Sequence, residues 1–258
     1  MAELITSTSN PKIKKLVALQ QKSSERRESA LFTVEGAREI EHCLNSGYTA
    51  ESIFVCPEIF SGTVPASAKL FEVSREVYKK IAYREGTEGI IAEIRMKKLK
   101  LEELKLRDNA LVAVVESVEK PGNLGAMLRT CDAVGADALI VCDPLTDLYN
   151  PNLIRASIGA AFTVPCVACS SEEAIVFLKS NNIQILTAQL QDSSLYYDCD
   201  MKKSTAIVMG TEATGLSELW RKAADAHIRI PMLGQLDSLN VSVSAAILLY
   251  ESIRQRNG

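Results

Sequence analysis

Ile207-Val208-Met209-Gly210-Thr211-Glu212-Ala213-Thr214-Gly215 is a short apolar run that stops at a glycine. It reads as a buried strand opening into a tight loop. The chain repeats the move at residues 227–230, which stop at Pro231 within Ile230-Pro231-Met232-Leu233-Gly234. Ser238-Leu239-Asn240-Val241-Ser242-Val243 follows, where a polar Ser238/Asn240 pair precedes an apolar helical pattern over residues 239–256. Two loops at strand ends, both facing a helix start, are where open α/β sheets build small-molecule sites. The pattern predicts a cofactor pocket.

The surrounding half of the chain is regular. Residues 111–115, 138–142, 183–188, 205–209 and 228–230 are short, apolar and β-rich, and helical patterns over 124–134, 152–161, 172–179 and 216–224 separate them. Strand and helix alternating at this spacing predict a parallel sheet covered on both faces. The front half reads as a smaller α/β unit: Asn10-Pro11 caps a first helix, and strands are expected at 31–34, 52–56, 69–73 and 89–94. We expect domains at 1–95 and 110–258, joined at 96–109 by a charged linker or connecting helix.

The chain has 258 residues, 47% hydrophobic and 24% charged, as in a globular protein rather than a disordered one. No apolar run of about 18 residues is present, so no membrane span is expected. The first residues lack the basic and then apolar layout of a signal peptide. Seven cysteines scattered through apolar segments fit reduced core thiols and a cytoplasmic location. The net charge is −3, but unevenly spread: 18 Lys+Arg stand against 16 Asp+Glu through Asp108, and 11 against 16 beyond it. The basic excess at Lys12, Lys14, Arg26 and Arg27 is a candidate phosphate-contacting surface, with a solvated helix face as the bland alternative.

The turn after the first strand of the second half is Glu119-Lys120-Pro121-Gly122-Asn123-Leu124-Gly125, opening a helix that carries Arg129. Pro121 and Gly122 force a tight turn and Asn123 is a good N-cap. No Gly-Lys-Ser/Thr follows, so this is not a Walker loop, and the three-glycine dinucleotide fingerprint is missing as well.

Pro121-Gly122-Asn123-Leu124-Gly125 with Arg129 resembles the first motif of the SpoU-type (TrmH-like) RNA methyltransferases. Gly210-Thr211-Glu212 with Gly215 resembles the second, and Ile230-Pro231-Met232 through Ser238-Leu239-Asn240-Val241-Ser242 the third. Asn150-Pro151-Asn152 and Arg155-Ala156-Ser157-Ile158-Gly159-Ala160 match the stretch between the first two. The front half resembles the substrate-binding extension of these enzymes, a small α/β domain. Lys120, Ala213 and Ser244 depart from the family's usual residues.

The resemblance implies a parallel-sheet domain closed by a deep trefoil knot, which no periodicity argument would have proposed. It implies S-adenosylmethionine held by the three loops, with Gly210, Ile230 and Leu239 lining it and Thr187, Ala188 and Met232 nearby. It also implies a homodimer and a ribose 2′-hydroxyl of a folded RNA, ribosomal rather than transfer, as acceptor. Arg129, Asn123, Glu212, Ser238 and Asn240 are the candidate catalytic residues. The family gives the arginine the hydroxyl's proton. A guanidinium keeps its own proton to a pKa above about 12, so we expect a bidentate phosphate clamp instead. Asn123 is expected to orient it, while Glu212, Ser238 and Asn240 shape the mouth of the site.

Each residue also has a structural reading: Glu212 and Asn240 as helix caps, and His42 and His227 as isolated structural histidines. Cys166-Val167-Ala168-Cys169 lacks a second pair, so no metal is expected, and Cys131 sits in an apolar helical pattern rather than at a nucleophile's position. Two other functions compete. One is a non-catalytic RNA-binding protein of the same fold. The other is a tRNA guanine-N1 base methyltransferase, against which the Ser-Leu-Asn-Val-Ser motif speaks.

Overall fold

A computed structural model describes residues 3–65, 68–83, 88–211 and 214–258. The chain divides into two units, Met1–Lys97 with Tyr149–Ile154, and Lys98–Leu148 with Arg155–Gly258. No helix among the described residues is long and apolar enough to cross a membrane.

The first unit is a five-stranded sheet of β1 (Glu3–Ile5), β2 (Leu31–Glu35), β3 (Ala50–Val55), β4 (Lys69–Val73) and β5 (Ile90–Arg95), in the order β1-β4-β3-β5-β2. Helices α1 (Pro11–Gln21), α2 (Ser23–Ser29), α3 (Ala37–Asn45) and α4 (Arg75–Ile81) accompany it. Asn10 caps α1 as its sequence predicts, its side chain accepting from the Lys12 amide at 2.9 Å. Ile13, Leu16, Phe54, Val77 and Tyr78 are buried together in its core. Strand β1 and helix α2 are absent from the sequence reading because both are too short to show a period.

Helix α2 overturns one expectation. Arg26, expected among the RNA contacts, is only 2% exposed. Its Nη1 donates to the carbonyls of Leu19 (2.6 Å) and Gln20 (3.3 Å). It satisfies carbonyls that the last turn of α1 leaves without helical partners. It is a cap, not a surface cation.

The second unit is a seven-stranded, wholly parallel sheet: β6 (Leu111–Glu116), β7 (Ala138–Cys142), β8 (Cys166–Cys169), β9 (Gln184–Ala188), β10 (Ser194–Leu195), β11 (Thr205–Met209) and β12 (Ala226–Arg229). Their order is β10-β12-β9-β11-β6-β7-β8, so β11 lies between β9 and β6. Side chains alternate across each strand. Val112, Val114, Ile140, Cys142 and Ile185 share one core with α8 (Ser171–Ser180) and α9 (Glu218–Ala223). Helices α5 (Pro121–Ala133) and α10 (Val241–Asn257) pack on each other, and α10 also meets β6 and β11.

Two local expectations change, and the Cys-x-x-Cys segment gains a place in the fold. The pattern over 152–161 forms two helices, α6 (Pro151–Ser157) and α7 (Ala160–Thr163), because Ile158 (φ 51°) and Gly159 (φ 92°) take left-handed backbone between them. The Cys-x-x-Cys segment is the edge strand β8. Residues three apart on a strand face opposite sides, so its two sulfurs do not converge on one ion. The 96–109 stretch carries leucines at 99, 101, 104 and 106 that pack against the second unit's core.

Arg107 closes that stretch. Its Nε donates to Asp137 Oδ1 at 2.8 Å and its Nη2 to Oδ2 at 2.9 Å, while Asp137 also accepts from the amides of Arg107 and Leu111. Burial opposes ionisation of Asp137. The Arg107 fork and the amides outweigh that cost and hold its carboxyl below the usual range.

Candidate active site

Because every strand of the second unit runs the same way, the segments following β6, β9, β11 and β12 leave one edge of the sheet. The three strands β11, β9 and β12 are consecutive neighbours. Residues Gly210, Thr187, Ala188 and Ile230 therefore stand at adjacent strand ends, where crevices form in open parallel sheets.

The β11 loop is built by glycine. A Cβ on Gly210 would lie 2.2 Å from the carbonyl carbon and oxygen of Gly215 and 2.5 Å from the Leu216 nitrogen. No side chain fits there. The approach is held by two backbone bonds, Thr211 N to Gly215 O at 3.2 Å and Gly215 N to Thr211 O at 3.1 Å. Gly215 itself has φ +69°, a region that favours glycine. Thr211 Oγ1 accepts from the Thr214 amide at 3.0 Å. Glu212, expected among the catalytic residues, lies outside the described residues, as does Ala213.

Thr187 is fully buried, and its Oγ1 is 2.6 Å from His227 Nδ1, its register partner on β12. That side chain is committed inside the sheet, so Thr187 offers a neighbouring site its backbone alone. Beyond β12, Ile230, Met232 and Leu239 are half-buried, whereas Ser238 and Asn240 are exposed. Leu233 is 97% exposed.

Helix α5 starts one residue after Lys120, with Pro121 in its first turn and Lys120 at the N-cap position, where its side chain makes no capping bond. Proline suits that position, since its fixed φ is helical and its missing N–H would have no partner there. Asn123 is thus inside the first turn rather than the cap, and its Oδ1 accepts from Asn240 Nδ2 at 3.2 Å. Asn240 does cap its helix: its Oδ1 accepts from the Ser242 amide at 3.0 Å. Two loops separated by more than a hundred residues meet through these two amides.

Arg129 is exposed on α5 and makes no ion pair or hydrogen bond among the described residues. Six residues separate it from Asn123, about 240° around the helix. The two do not share a face, so Asn123 holds the loops together rather than steering the arginine. Cys131, two residues on, is fully buried. Its thiol is pushed up to about 12, by burial first and then by Asp132. Such a thiol supplies little nucleophile.

Among the basic candidates of the first unit, Lys14 and Arg27 are exposed. Lys12 Nζ pairs with Glu3 at 2.9 Å and sits 4.8 Å from the centre of the Phe71 ring. No cluster of metal-ligating groups occurs among the described residues. One residue escaped the sequence reading altogether: Glu116, buried at the end of β6, accepts from the Ser217 amide at 2.7 Å. The signal was present, as a single carboxylate closing the run Leu111-Val112-Ala113-Val114-Val115.

Residues 110–250 match the SpoU rRNA Methylase family, and residues 10–92 match the MRM3-like substrate binding domain. Over 95% of its length the chain is 30% identical to the 23S rRNA (guanosine(2553)-2′-O)-methyltransferase RlmP of Bacillus subtilis (strain 168), covering 97% of that protein. A crystal structure described as an RNA 2′-O ribose methyltransferase superposes with a TM-score of 0.85 at 42% identity, over 99% of this chain and 100% of the other. An AdoMet-bound rRNA methyltransferase from Sinorhizobium meliloti superposes with a TM-score of 0.90 at 28% identity, over 98% of both chains.

Proposed function

Because this chain belongs to the SpoU rRNA methylase family, we propose that it transfers a methyl group from S-adenosylmethionine to a ribose 2′-hydroxyl of ribosomal RNA. The observation that supports the reading is that the three motif loops leave the same edge of the parallel sheet. There the Asn123–Asn240 bond ties the first motif to the third. The residues suit an adenosyl group. Ala188, Gly210 and Ile230 are half-buried at adjacent strand ends, and Met232 and Leu239 in the segment that follows are half-buried too, offering apolar surface beside backbone donors and acceptors.

When bound, S-adenosylmethionine supplies a methyl group on a positively charged sulfur. The chain's own task is alignment and exclusion of water, worth on the order of 7–11 kcal/mol for well-oriented reactants. The glycine-built loop at 210–215 and the segment at 230–239 hold the donor's adenosine. Arg129, whose donor fork is unengaged among the described residues, grips the phosphate beside the target ribose and polarises the hydroxyl. Ser238, Asn240 and, by its motif, Glu212 shape the ribose mouth. Lys14 and Arg27 contact RNA phosphates.

We place the C-terminal helix through a trefoil knot. In support, residues 199–203 bracket the last turns of α10: Gln255 bonds the Cys199 carbonyl and the Met201 amide, and Arg256 bonds the carbonyls of Met201 and Lys203. We also infer a homodimer in which Arg129 serves the partner's donor. Leu236 (76% exposed), Val243 (47%) and Tyr250 (52%) leave apolar surface around the start of α10 and along it, of the kind that subunit contacts cover.

The test is incubation with labelled S-adenosylmethionine and undermodified ribosomal RNA, followed by mapping of the label. A single 2′-O-methyl nucleotide is expected. Label on a base would point to base methylation. Binding of RNA with no uptake of donor would leave a non-catalytic RNA-binding protein.

A further inference from the structure

We propose that Glu116 is a positioning residue that holds the return of the donor-binding loop, at Gly215–Ser217, against strand β6. This rests on the reading of that loop as part of the methyl-donor site. Met209, the last residue of β11, is the register partner of Val115 on β6. The chain then loops out and returns, and the Ser217 amide donates 2.7 Å to Oε2 of Glu116. Both ends of the loop are tied to two consecutive residues of one strand.

Glu116 has little else to do. It is 7% exposed at the end of an apolar strand, a costly place for a carboxylate unless it accepts hydrogen bonds. Its Oε1 is 3.3 Å from Ser171 Oγ. That hydroxyl donates its one proton to Asp143 Oδ2 at 2.6 Å and accepts from Trp220 Nε1 at 2.9 Å. The Ser217 amide is therefore the donor that Glu116 serves. Helix α9 does not depend on it, because Trp220 is fully buried and Leu216 is 4% exposed in the core. Losing the carboxylate frees the loop before it frees the helix.

The role needs an acceptor rather than a charge. In Glu116→Gln, the amide oxygen still accepts from Ser217, and the amide nitrogen donates to Ser171 Oγ, which has a second lone pair. Glu116→Leu keeps the bulk and offers no acceptor. Ser217→Pro removes the donor from the other side of the same bond. Ser217 already has φ −64°, which proline adopts.

The experiment is calorimetric titration of S-adenosylmethionine into the full chain and these variants, with kcat at saturating donor. Glu116→Gln is expected to bind within about threefold of the parent. Glu116→Leu and Ser217→Pro are expected to bind about tenfold more weakly, matching the loss of one buried acceptor. Their kcat at saturation stays near the parent's, and the double variant is no worse than either single one. A parent-like affinity in Ser217→Pro, or a fall in Glu116→Gln equal to that of Glu116→Leu, overturns the inference. A parent chain that binds no S-adenosylmethionine overturns the reading of the site, and this inference with it.

Discussion

Replacing Gly210 with Ala adds one methyl group where none fits. The new Cβ would stand 2.2 Å from the Gly215 carbonyl and 2.5 Å from the Leu216 nitrogen, and the obstruction is backbone, so no side chain can swing aside. Relief requires the two limbs of the loop to part by roughly 1 Å, given carbon contacts of about 3.5 Å. That motion breaks the paired bonds between Thr211 and Gly215. At a net 0.5–1.5 kcal/mol per hydrogen bond the loss is about 1–3 kcal/mol. If donor binding must restore the closed loop, affinity falls by roughly 5- to 150-fold. Titration calorimetry reads this directly. Gly122→Ala is the control, since nothing lies within 4 Å of a Cβ there and alanine favours helix. Donor affinity equal to the parent's in Gly210→Ala refutes the reasoning, because the loop would then bind in some other shape.

Arg129→Lys keeps the charge and loses the fork; turnover is expected to fall at least about tenfold with donor affinity unchanged, measured by labelled-methyl incorporation. Asp137→Asn is expected to lose about 1–3 kcal/mol of stability at neutral pH in urea unfolding. Because the folded-state carboxyl titrates below its unfolded value, that stability is present above about pH 4 and drains away as pH falls through the folded pKa, so parent and variant converge in acid. Replacing Lys14 and Arg27 together with alanine is expected to flatten the salt dependence of RNA binding by about one to two in logarithmic slope, read by fluorescence anisotropy. Arg26→Ala is expected instead to lower the thermal midpoint and leave that slope unchanged.

Much of the architecture is written locally. The five apolar segments of the second half became strands of one parallel sheet because a run of β-branched residues between two helical patterns has few other uses. What escaped was anything decided by distant neighbours. Arg26 looks like every exposed cation in a charged run until α1 supplies two carbonyls for it. Asn123 has the chemistry of a cap, but Pro121 starts the helix earlier and frees the amide to meet Asn240. The helix over 152–161 has the right period, and only the left-handed pair Ile158 and Gly159 breaks it. Cys166 and Cys169 match a ligand spacing as text and point apart as a strand. Glu116 is a lone acid in the alphabet and a tether only when Ser217 arrives beside it. The order of strands is no more legible, since hydrophobic period says which residues are buried and nothing of which strand lies next to which.

That order carries a consequence for assembly. Among the described residues, β6-β7-β8 and β9-β12-β10 are two ribbons with no ladder in common; β11 alone knits them. The first ribbon must wait, half-finished, until a strand some ninety residues downstream slides into the gap, and late long-range pairing of this kind is slow. The same strand delivers Gly210 to the rim. Completing the sheet and bringing the motif segments to one edge are therefore a single event, and under the proposed function a partly folded molecule has nowhere to hold a methyl donor.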